Sequence, residues 1–169
     1  ENERIIFSNY DDWSPENANG EYGGYYSVKG GLTFSVNTVA ARLISETGPA
    51  AVIDMAKRMG IESTLPKVPS IALGVADISL IEMVRSYAAL AGDGAKVNPV
   101  FIKKIKAADG TLLYESPAQK SQRAIDAYTA HAVRSMLELV VDSGTARSVR
   151  NRFGVRSPLG GKTGTTQNN

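Results

Sequence analysis

The sequence predicts a mixed α+β fold in which helices dominate. Four stretches have the apolar spacing, caps or glycine stops of helices, and one stretch alternates about a turn as a β-hairpin does. The composition, with 43% hydrophobic and 21% charged residues among 169, is that of a globular domain or of a piece of a larger one. Disordered, collagen-like and coiled-coil classes are excluded by the same numbers.

The chain is expected to begin with a loop and to continue with a helix. Residues 1–31 are rich in aromatic, Asn, Asp and Gly residues, which predicts an ordered loop with at most a short strand at residues 4–7. A helix is expected from Leu32 to the stop at Gly48-Pro49, because apolar residues recur there at three- and four-residue spacing.

Two further helices are expected in the central part. The first covers residues 50–59 and is closed by Gly60. Residues 61–74 then form an irregular connection. Ser79 and Glu82 have the spacing of a capping box, in which a hydroxyl and a carboxylate satisfy two otherwise unpaired amides, so the next helix runs from there to about residue 91.

The last third combines a hairpin, a long helix and a final strand. Residues 97–106 and 111–114 alternate about Asp109-Gly110, which predicts a hairpin with its lysines towards solvent. A helix is expected over residues 125–141, and residues 158–166 are expected to be a strand, since Thr favours extended structure and Gly permits close backbone approach. The predicted apolar face of the helix comprises Ile125, Tyr128, Ala132, Met136, Leu137 and Val140.

The composition excludes several kinds of reactive group and metal site. There is no cysteine, which excludes disulfides, thiolate nucleophiles and cysteine-ligated metals but leaves the redox compartment open. The single histidine, His131, excludes multi-histidine metal sites, and its polar neighbours on the long helix favour a surface role. A net charge of +2 gives no support for a nucleic-acid partner. No run is apolar enough to span a bilayer, so the chain is either cytosolic or a soluble part of an exported protein.

The glycine- and threonine-rich segment 160–166 is the first candidate site. A phosphate-binding loop would need glycine where Arg156 stands and a helix after the Lys-Thr pair, and the sequence has neither. A strand of alternating Gly, Lys and Thr instead offers a cationic edge to which an extended peptide can pair. Its hydroxyls can bind a carboxylate, and a backbone amide can stabilise an oxyanion.

The triplet Ser35-Val36-Asn37 is the second candidate, and it is weak alone because Ser or Asn near a helix start is usually a cap. Together, the two segments resemble motifs of the transpeptidase domain of class A penicillin-binding proteins, the bifunctional peptidoglycan synthases. That family carries Ser-x-x-Lys, Ser-x-Asn and Lys-Thr-Gly motifs. Residues 35–37 match the second and residues 162–166 the third, and supporting matches lie at residues 13–17, 72–74, 88–94 and 144–146.

The first motif is missing from this sequence. No serine is followed by a lysine three positions later, and the nearest case, Thr64 with Lys67, has Thr in place of Ser and Pro66 between them. We therefore expect residues 1–169 to be a partial transpeptidase domain that lacks the upstream Ser-x-x-Lys segment and the strands after the Lys-Thr-Gly motif. The resemblance implies the helix-rich part of a penicillin-binding transpeptidase or serine β-lactamase-like domain, inactive when isolated.

The resemblance also implies roles for individual residues. An upstream serine would attack the D-Ala-D-Ala end of a stem peptide, and an amine from a second stem peptide would resolve the acyl-enzyme. Ser35 would relay a proton to the leaving amine, Asn37 would bind the substrate amide, and Lys162 would supply positive potential. The residues implied in substrate binding are Thr163, Gly164, Thr165 and Thr166, with the Thr165 amide completing the oxyanion hole.

The implied partners are stem peptides as substrates and β-lactams as inhibitors, with no metal, cofactor, nucleic acid or membrane contact for these residues. The parent is expected to act outside the cytoplasm, anchored by an N-terminal transmembrane helix beyond this sequence. Two alternatives stay open. One is a D,D-carboxypeptidase or β-lactamase-like hydrolase that uses water as acceptor, and the other is a non-catalytic peptidoglycan-binding module.

Overall fold

A computed structural model describes residues 1–118 and 122–164 of the chain. Within those residues the chain forms helices joined by loops and one two-stranded antiparallel sheet, so the predicted helix-rich α+β class is confirmed. The elements are α1 (Val28–Phe34), α2 (Asn37–Thr47), α3 (Pro49–Arg58), a 3₁₀ turn (Pro69–Leu73), α4 (Leu80–Ala91), β1 (Lys104–Lys106), β2 (Leu112–Glu115), α5 (Ala127–Asp142) and α6 (Ser148–Asn151).

The helix predicted from Leu32 is in fact two helices, and the prediction of one continuous element was wrong. α1 begins earlier, at Val28, where the Ser27 hydroxyl accepts from the Gly30 amide at 3.1 Å. It ends at Ser35, whose backbone is left-handed (φ 56°, ψ 49°), and α2 starts two residues later. The apolar spacing runs across this break, so the sequence pattern alone could not reveal it.

Helix α5 is the centre of the packing, since α1 and α4 both lie against it. It begins where Asp126 accepts from the Thr129 amide at 2.8 Å, one residue from the predicted start. Burial of each large aliphatic side chain stabilises the fold by about 1.5–3 kcal/mol. The buried apolar residues are Val39, Ala41, Ile44, Ile61, Ala89, Ala124, Ile125, Ala130, Leu137, Val140 and Val141.

One residue of the predicted α5 face is misplaced. Tyr128 is 83% exposed, whereas Ala130, Leu137 and Val140 are buried. With 3.6 residues per turn, each four-residue step drifts by about 40° around the helix, so the row that runs from Tyr128 to Val140 turns away from the core. The prediction followed that row too far towards the N-terminus.

The caps and turn residues in the sequence correctly predicted where α3, α4 and the hairpin turn lie. α3 starts with Pro49 after Gly48, and Gly60 has the left-handed φ of 103° that closes it. The capping box of α4 is present, with the Ser79 amide donating to Glu82 Oε2 at 3.0 Å. In the hairpin, Lys104 pairs with Glu115, and their charged groups lie 3.0 Å apart.

Two predicted strands are shorter than expected or absent. The first hairpin arm is Lys104–Lys106 rather than residues 97–106, because its partner β2 spans only Leu112–Glu115 and offers no longer stretch to pair with. Residues 158–164 form no strand, which corrects the prediction for that part of the last segment. A strand requires a paired neighbour, and in the described part of the chain this segment instead lies on α5, with the Gly161 amide donating to the Leu137 carbonyl at 3.2 Å.

Candidate active site

The end of α1 places Ser35 at the surface of the helical core. Its amide donates to the Leu32 carbonyl at 3.3 Å, and the following Val36 amide donates to the Gly31 carbonyl at 2.9 Å. These bonds hold Ser35 in the left-handed region, which costs a residue other than glycine about 1–2 kcal/mol. Ser35 is half-buried in this left-handed turn.

The side chain of Lys162, near the other end of the chain, contacts the Ser35 hydroxyl. Its Nζ donates to Ser35 Oγ at 2.7 Å, across 127 positions of sequence, and to the Thr163 carbonyl at 2.9 Å. Partial burial lowers the pKa of the Lys162 ammonium, because the charged form is less well solvated there. Within the described residues no carboxylate forms an ion pair with it, so its charge is available to a bound anion.

Asn37 lies at the first residue of α2, close in sequence to Ser35 but turned towards a different partner. Its Nδ2 donates to the Glu16 carbonyl at 2.7 Å. That bond fixes the amide plane and leaves Oδ1 as the atom that could accept from a substrate amide. The structure therefore joins Ser35 to Lys162 directly, whereas Asn37, two residues after Ser35, has its described side-chain hydrogen bond with Glu16 rather than with the pair.

A buried polar cluster holds the first loop on the start of α2, and sequence reasoning gave its members no role. Asn2 and Asn17 are only 5% and 7% exposed. Asn17 Nδ2 donates to Asn2 Oδ1 at 2.7 Å, and Thr38 Oγ1 donates to the same oxygen at 2.6 Å. Asn17 Oδ1 also accepts from the Thr38 amide at 3.2 Å, which satisfies a free amide in the first turn of α2.

This Asn2–Asn17–Thr38 cluster supports the turn that carries Ser35. The only signal in the sequence that could have found it is Asn17, which ends the segment 13–17 that carries part of the family resemblance. A polar cleft lies beside the cluster and is lined in part by Asn19, Tyr26 and Phe34, with Ser35 at its edge. Buried amides that are all satisfied make the turn rigid, because breaking any one bond leaves an unpaired polar group.

The predicted substrate-binding segment is described only in part. Thr163 Oγ1 lies 2.7 Å from Thr145 Oγ1. The sequence analysis gave Thr145 no individual role. Gly164 is exposed, and a Cβ there would meet no protein atom within 4 Å, so packing among the described residues does not require glycine. Thr165 and Thr166 lie outside the described residues.

Other kinds of site find no support in the described ranges. No three His, Asp or Glu side chains there come close enough to hold a metal ion. His131 is exposed on α5, as predicted, and its Nδ1 lies 3.1 Å from Nη2 of Arg134. Among the helices of residues 1–118 and 122–164, none combines the length and apolar character needed to cross a bilayer.

The site therefore presents the Ser35 hydroxyl bonded to the Lys162 ammonium, with the exposed hydroxyl residue Thr163 next in the chain. An ammonium bonded to a hydroxyl can pass a proton through it and can attract an anionic group. Such an arrangement suits acyl transfer to or from a peptide with a terminal carboxylate. Within the described residues, the groups gathered at this place are hydroxyls, an amide and an ammonium.

Comparison with known proteins assigns the chain to one family. The family described as penicillin binding protein transpeptidase domain matches residues 3–169. Penicillin-binding protein 2D of Bacillus subtilis (strain 168) is 35% identical over 178 residues, which cover 98% of this chain and 25% of that protein. The chain spans 20–25% of the length of the curated relatives it matches.

Solved structures agree with this assignment. Penicillin-binding protein 1A from Haemophilus influenzae has the same fold, with a TM-score of 0.87 at 24% identity, over 99% of this chain and 30% of that one. The PonA1 protein from Mycobacterium tuberculosis, solved in complex with penicillin V, has a TM-score of 0.71 at 27% identity. That match covers 82% of this chain and 40% of the PonA1 chain.

Proposed function

Because the chain belongs to the penicillin-binding protein transpeptidase domain family, we propose that it forms part of the active site of a peptidoglycan D,D-transpeptidase. The observation that carries the proposal is the 2.7 Å bond from Lys162 Nζ to Ser35 Oγ. It brings together the two segments that match the Ser-x-Asn and Lys-Thr-Gly motifs, which the sequence separates by most of its length. The proposal covers the whole protein that contains this chain, with β-lactams as its inhibitors.

The reaction divides one acyl transfer into two steps. A serine hydroxyl of the Ser-x-x-Lys motif attacks the carbonyl between the two D-Ala residues of a stem peptide, and the C–N bond breaks to release the terminal D-Ala. The amine of a second stem peptide then attacks the resulting ester, which forms the cross-link and returns the serine. Residues 1–169 include no serine followed by lysine at this spacing, so the acylated serine belongs to another part of the protein.

The residues of this chain transfer a proton and bind the substrate. Ser35, bonded to the Lys162 ammonium, passes a proton to the departing D-Ala amine. Asn37 Oδ1 accepts from the substrate amide. The hydroxyls of Thr163 and Thr165 bind the terminal carboxylate with the help of the Lys162 charge, and the Thr165 amide contributes to the oxyanion hole. Gly164 and Thr166 also take part in binding the extended peptide.

The proposed activity also implies a location for the protein. Stem peptides with free D-Ala-D-Ala ends are exposed to the enzyme outside the cytoplasm, so we place the whole protein at the outer face of the cytoplasmic membrane, anchored by a helix beyond this chain. The chemistry calls for no metal or cofactor. The isolated 169 residues are expected to be inert towards stem peptides and penicillin.

The test is an analysis of products formed by the full-length protein from a donor stem peptide that ends in D-Ala-D-Ala and an acceptor with a free amine. We expect a cross-linked dimer together with one D-Ala for each cross-link. A Ser35→Ala variant should lower the rate of dimer formation by roughly 10²-fold, in line with the loss of one group that acts in proton transfer. Added penicillin should stop the reaction.

The other outcomes identify the alternatives. Release of D-Ala without dimer, at an undiminished rate when the acceptor is withheld, would identify a carboxypeptidase or hydrolase. Binding of the donor with neither product would identify a non-catalytic module. Either result would contradict the proposed transpeptidase.

A further inference from the structure

The hydroxyl of Thr145 touches the proposed substrate-binding segment, yet the proposed reaction gives it no part. Its Oγ1 lies 2.7 Å from Oγ1 of Thr163, which is hydrogen-bond distance. Both residues are exposed, so a substrate can reach Thr163 while that contact stays in place. The contact joins two parts of the chain that are 18 positions apart.

The backbone on either side of Thr145 is unusually well fixed for an exposed residue. The Thr145 amide donates to the Thr33 carbonyl at 3.2 Å, and the Ala146 amide donates to the Val140 carbonyl at 3.0 Å. The preceding Gly144 is buried so tightly that a Cβ there would clash with the Thr33 carbonyl oxygen. The turn is therefore tied both to the last turn of α5 and to α1, two residues before Ser35.

The chemistry of the hydroxyl pair decides which oxygen can serve the substrate. A threonine hydroxyl has one hydrogen to donate and two lone pairs to accept with. In a hydrogen bond between two hydroxyls, only one of the two hydroxyl hydrogens lies between the oxygens. If Thr163 is to donate its own hydrogen to a carboxylate, which can only accept, it must accept from Thr145 at the same time.

We propose that Thr145 is a positioning residue for carboxylate binding: it donates to Thr163 and thereby turns the Thr163 hydrogen towards the substrate carboxylate. The inference rests on the proposed function, since it assumes that Thr163 binds that carboxylate. In such a chain each hydroxyl polarises the next, and the bond to the anion is strengthened. The fixed turn at Gly144 holds the Thr145 hydroxyl in place relative to Ser35. The groups proposed for carboxylate binding and for proton transfer are therefore held by the same part of the backbone.

The test is the kinetics of acylation of the full-length protein by fluorescent benzylpenicillin, whose carboxylate stands for that of the stem peptide. Thr145→Val keeps the shape of the side chain and removes the hydroxyl, whereas Thr145→Ser keeps the hydroxyl. We expect Thr145→Val to weaken formation of the initial complex by about tenfold, the scale of one hydrogen bond to a charged group, with little change in the acylation rate at saturation. Thr145→Ser should stay within about threefold of the wild type.

A double-mutant cycle with Thr163→Val separates positioning from a general structural effect. If Thr145 acts through Thr163, the Thr145→Val change should have no further effect once Thr163 lacks its hydroxyl. The inference is overturned if Thr145→Val matches the wild type, if its effect persists undiminished in the Thr163→Val background, or if Thr145→Ser is equally impaired. If the valine variant does not fold, Thr145→Ala compared with Thr145→Ser in the same cycle distinguishes the same outcomes.

Failure of the proposed function would look different. In that case benzylpenicillin would not acylate the wild type at all, and the variants would have no rate to compare. A wild type that is acylated, with Thr145 variants that break the expected pattern, removes only the inference about Thr145.

Discussion

Glu82 shows how one residue of this chain can be fixed in both place and charge. Its side chain is buried, with 5% of the residue exposed, and its two oxygens accept five hydrogen bonds. The donors are the amides of Glu62, Ser63 and Ser79 and the hydroxyls of Ser63 and Ser79. These bonds hold the pKa of Glu82 well below its ordinary value of 4.5, with the Ser79 hydroxyl as the largest cause.

The lowered pKa of Glu82 gives the stability of the protein a definite pH dependence. A carboxyl with a depressed pKa in the folded state stabilises the fold fully above the unfolded value, about pH 4.5, and loses that contribution as the pH falls further. We expect the melting temperature of the full-length protein to fall between pH 5 and pH 3 more steeply in the wild type than in Glu82→Gln. At pH 7 the variant should melt several degrees lower, since a glutamine places an NH₂ group against backbone donors.

Glu46→Gln is the matched control, because Glu46 is exposed on α2 and forms no ion pair within the described residues. It should leave both the melting temperature and its pH dependence close to those of the wild type. An unchanged acid slope in Glu82→Gln would show that the five-donor site does not govern acid stability.

At the scale of elements, the close approach of α1 and α2 determines where Ser35 lies. Val39 of α2 packs directly on Gly31 of α1, and the Gly31 carbonyl accepts from the Val36 amide at 2.9 Å in the turn that contains Ser35. A helix glycine normally weakens its helix by about 0.5–1 kcal/mol relative to alanine. Here it permits the contact on which the Ser35 turn depends.

The neighbouring glycines of α1 offer a direct test of this contact. A Cβ on Gly31 would lie 2.5 Å from Val39 Cγ1, and the β-branched valine has little freedom to move away. We expect Gly31→Ala to lower the free energy of unfolding by about 1–3 kcal/mol, measured by urea denaturation of the full-length protein. Gly30→Ala, whose Cβ would meet only ordinary contacts at 3.4 Å, should raise the same quantity by about 0.5–1 kcal/mol. Shifts of the same sign in the two variants would contradict the packing described for α1 and α2.

At the scale of the whole molecule, what could be predicted from the sequence depended on how local the cause was. The capping box at Ser79, the glycine stop at Gly60 and the Asp-Gly turn of the hairpin act within a few residues, and the structure confirms all three. The break at Ser35 was not predicted, because the apolar spacing of its neighbours continues through it. Its cause is tertiary and includes the packing of Val39 on Gly31.

The candidate site, too, could be predicted from the sequence only in part. The family resemblance assigned Ser35 and Lys162 to one active site, and the structure brings their side chains into contact across 127 positions. No local pattern could have shown that Asn2 bonds to Thr38 across 36 positions, because such a contact exists only in the assembled fold. The resemblance itself is confirmed by the family match over residues 3–169, while the roles of the individual site residues stay predictions.

The central claim is that the contact between Lys162 and Ser35 belongs to an acyl-transfer site, and acylation of the full-length protein by fluorescent penicillin tests it most directly. The rate of labelling is compared among the wild type, Lys162→Ala and the control Lys103→Ala, which removes an exposed lysine next to β1. Loss of a positioned cationic donor should slow labelling by roughly 10²-fold or more in Lys162→Ala, while Lys103→Ala labels like the wild type. Labelling of Lys162→Ala at the wild-type rate would contradict the account.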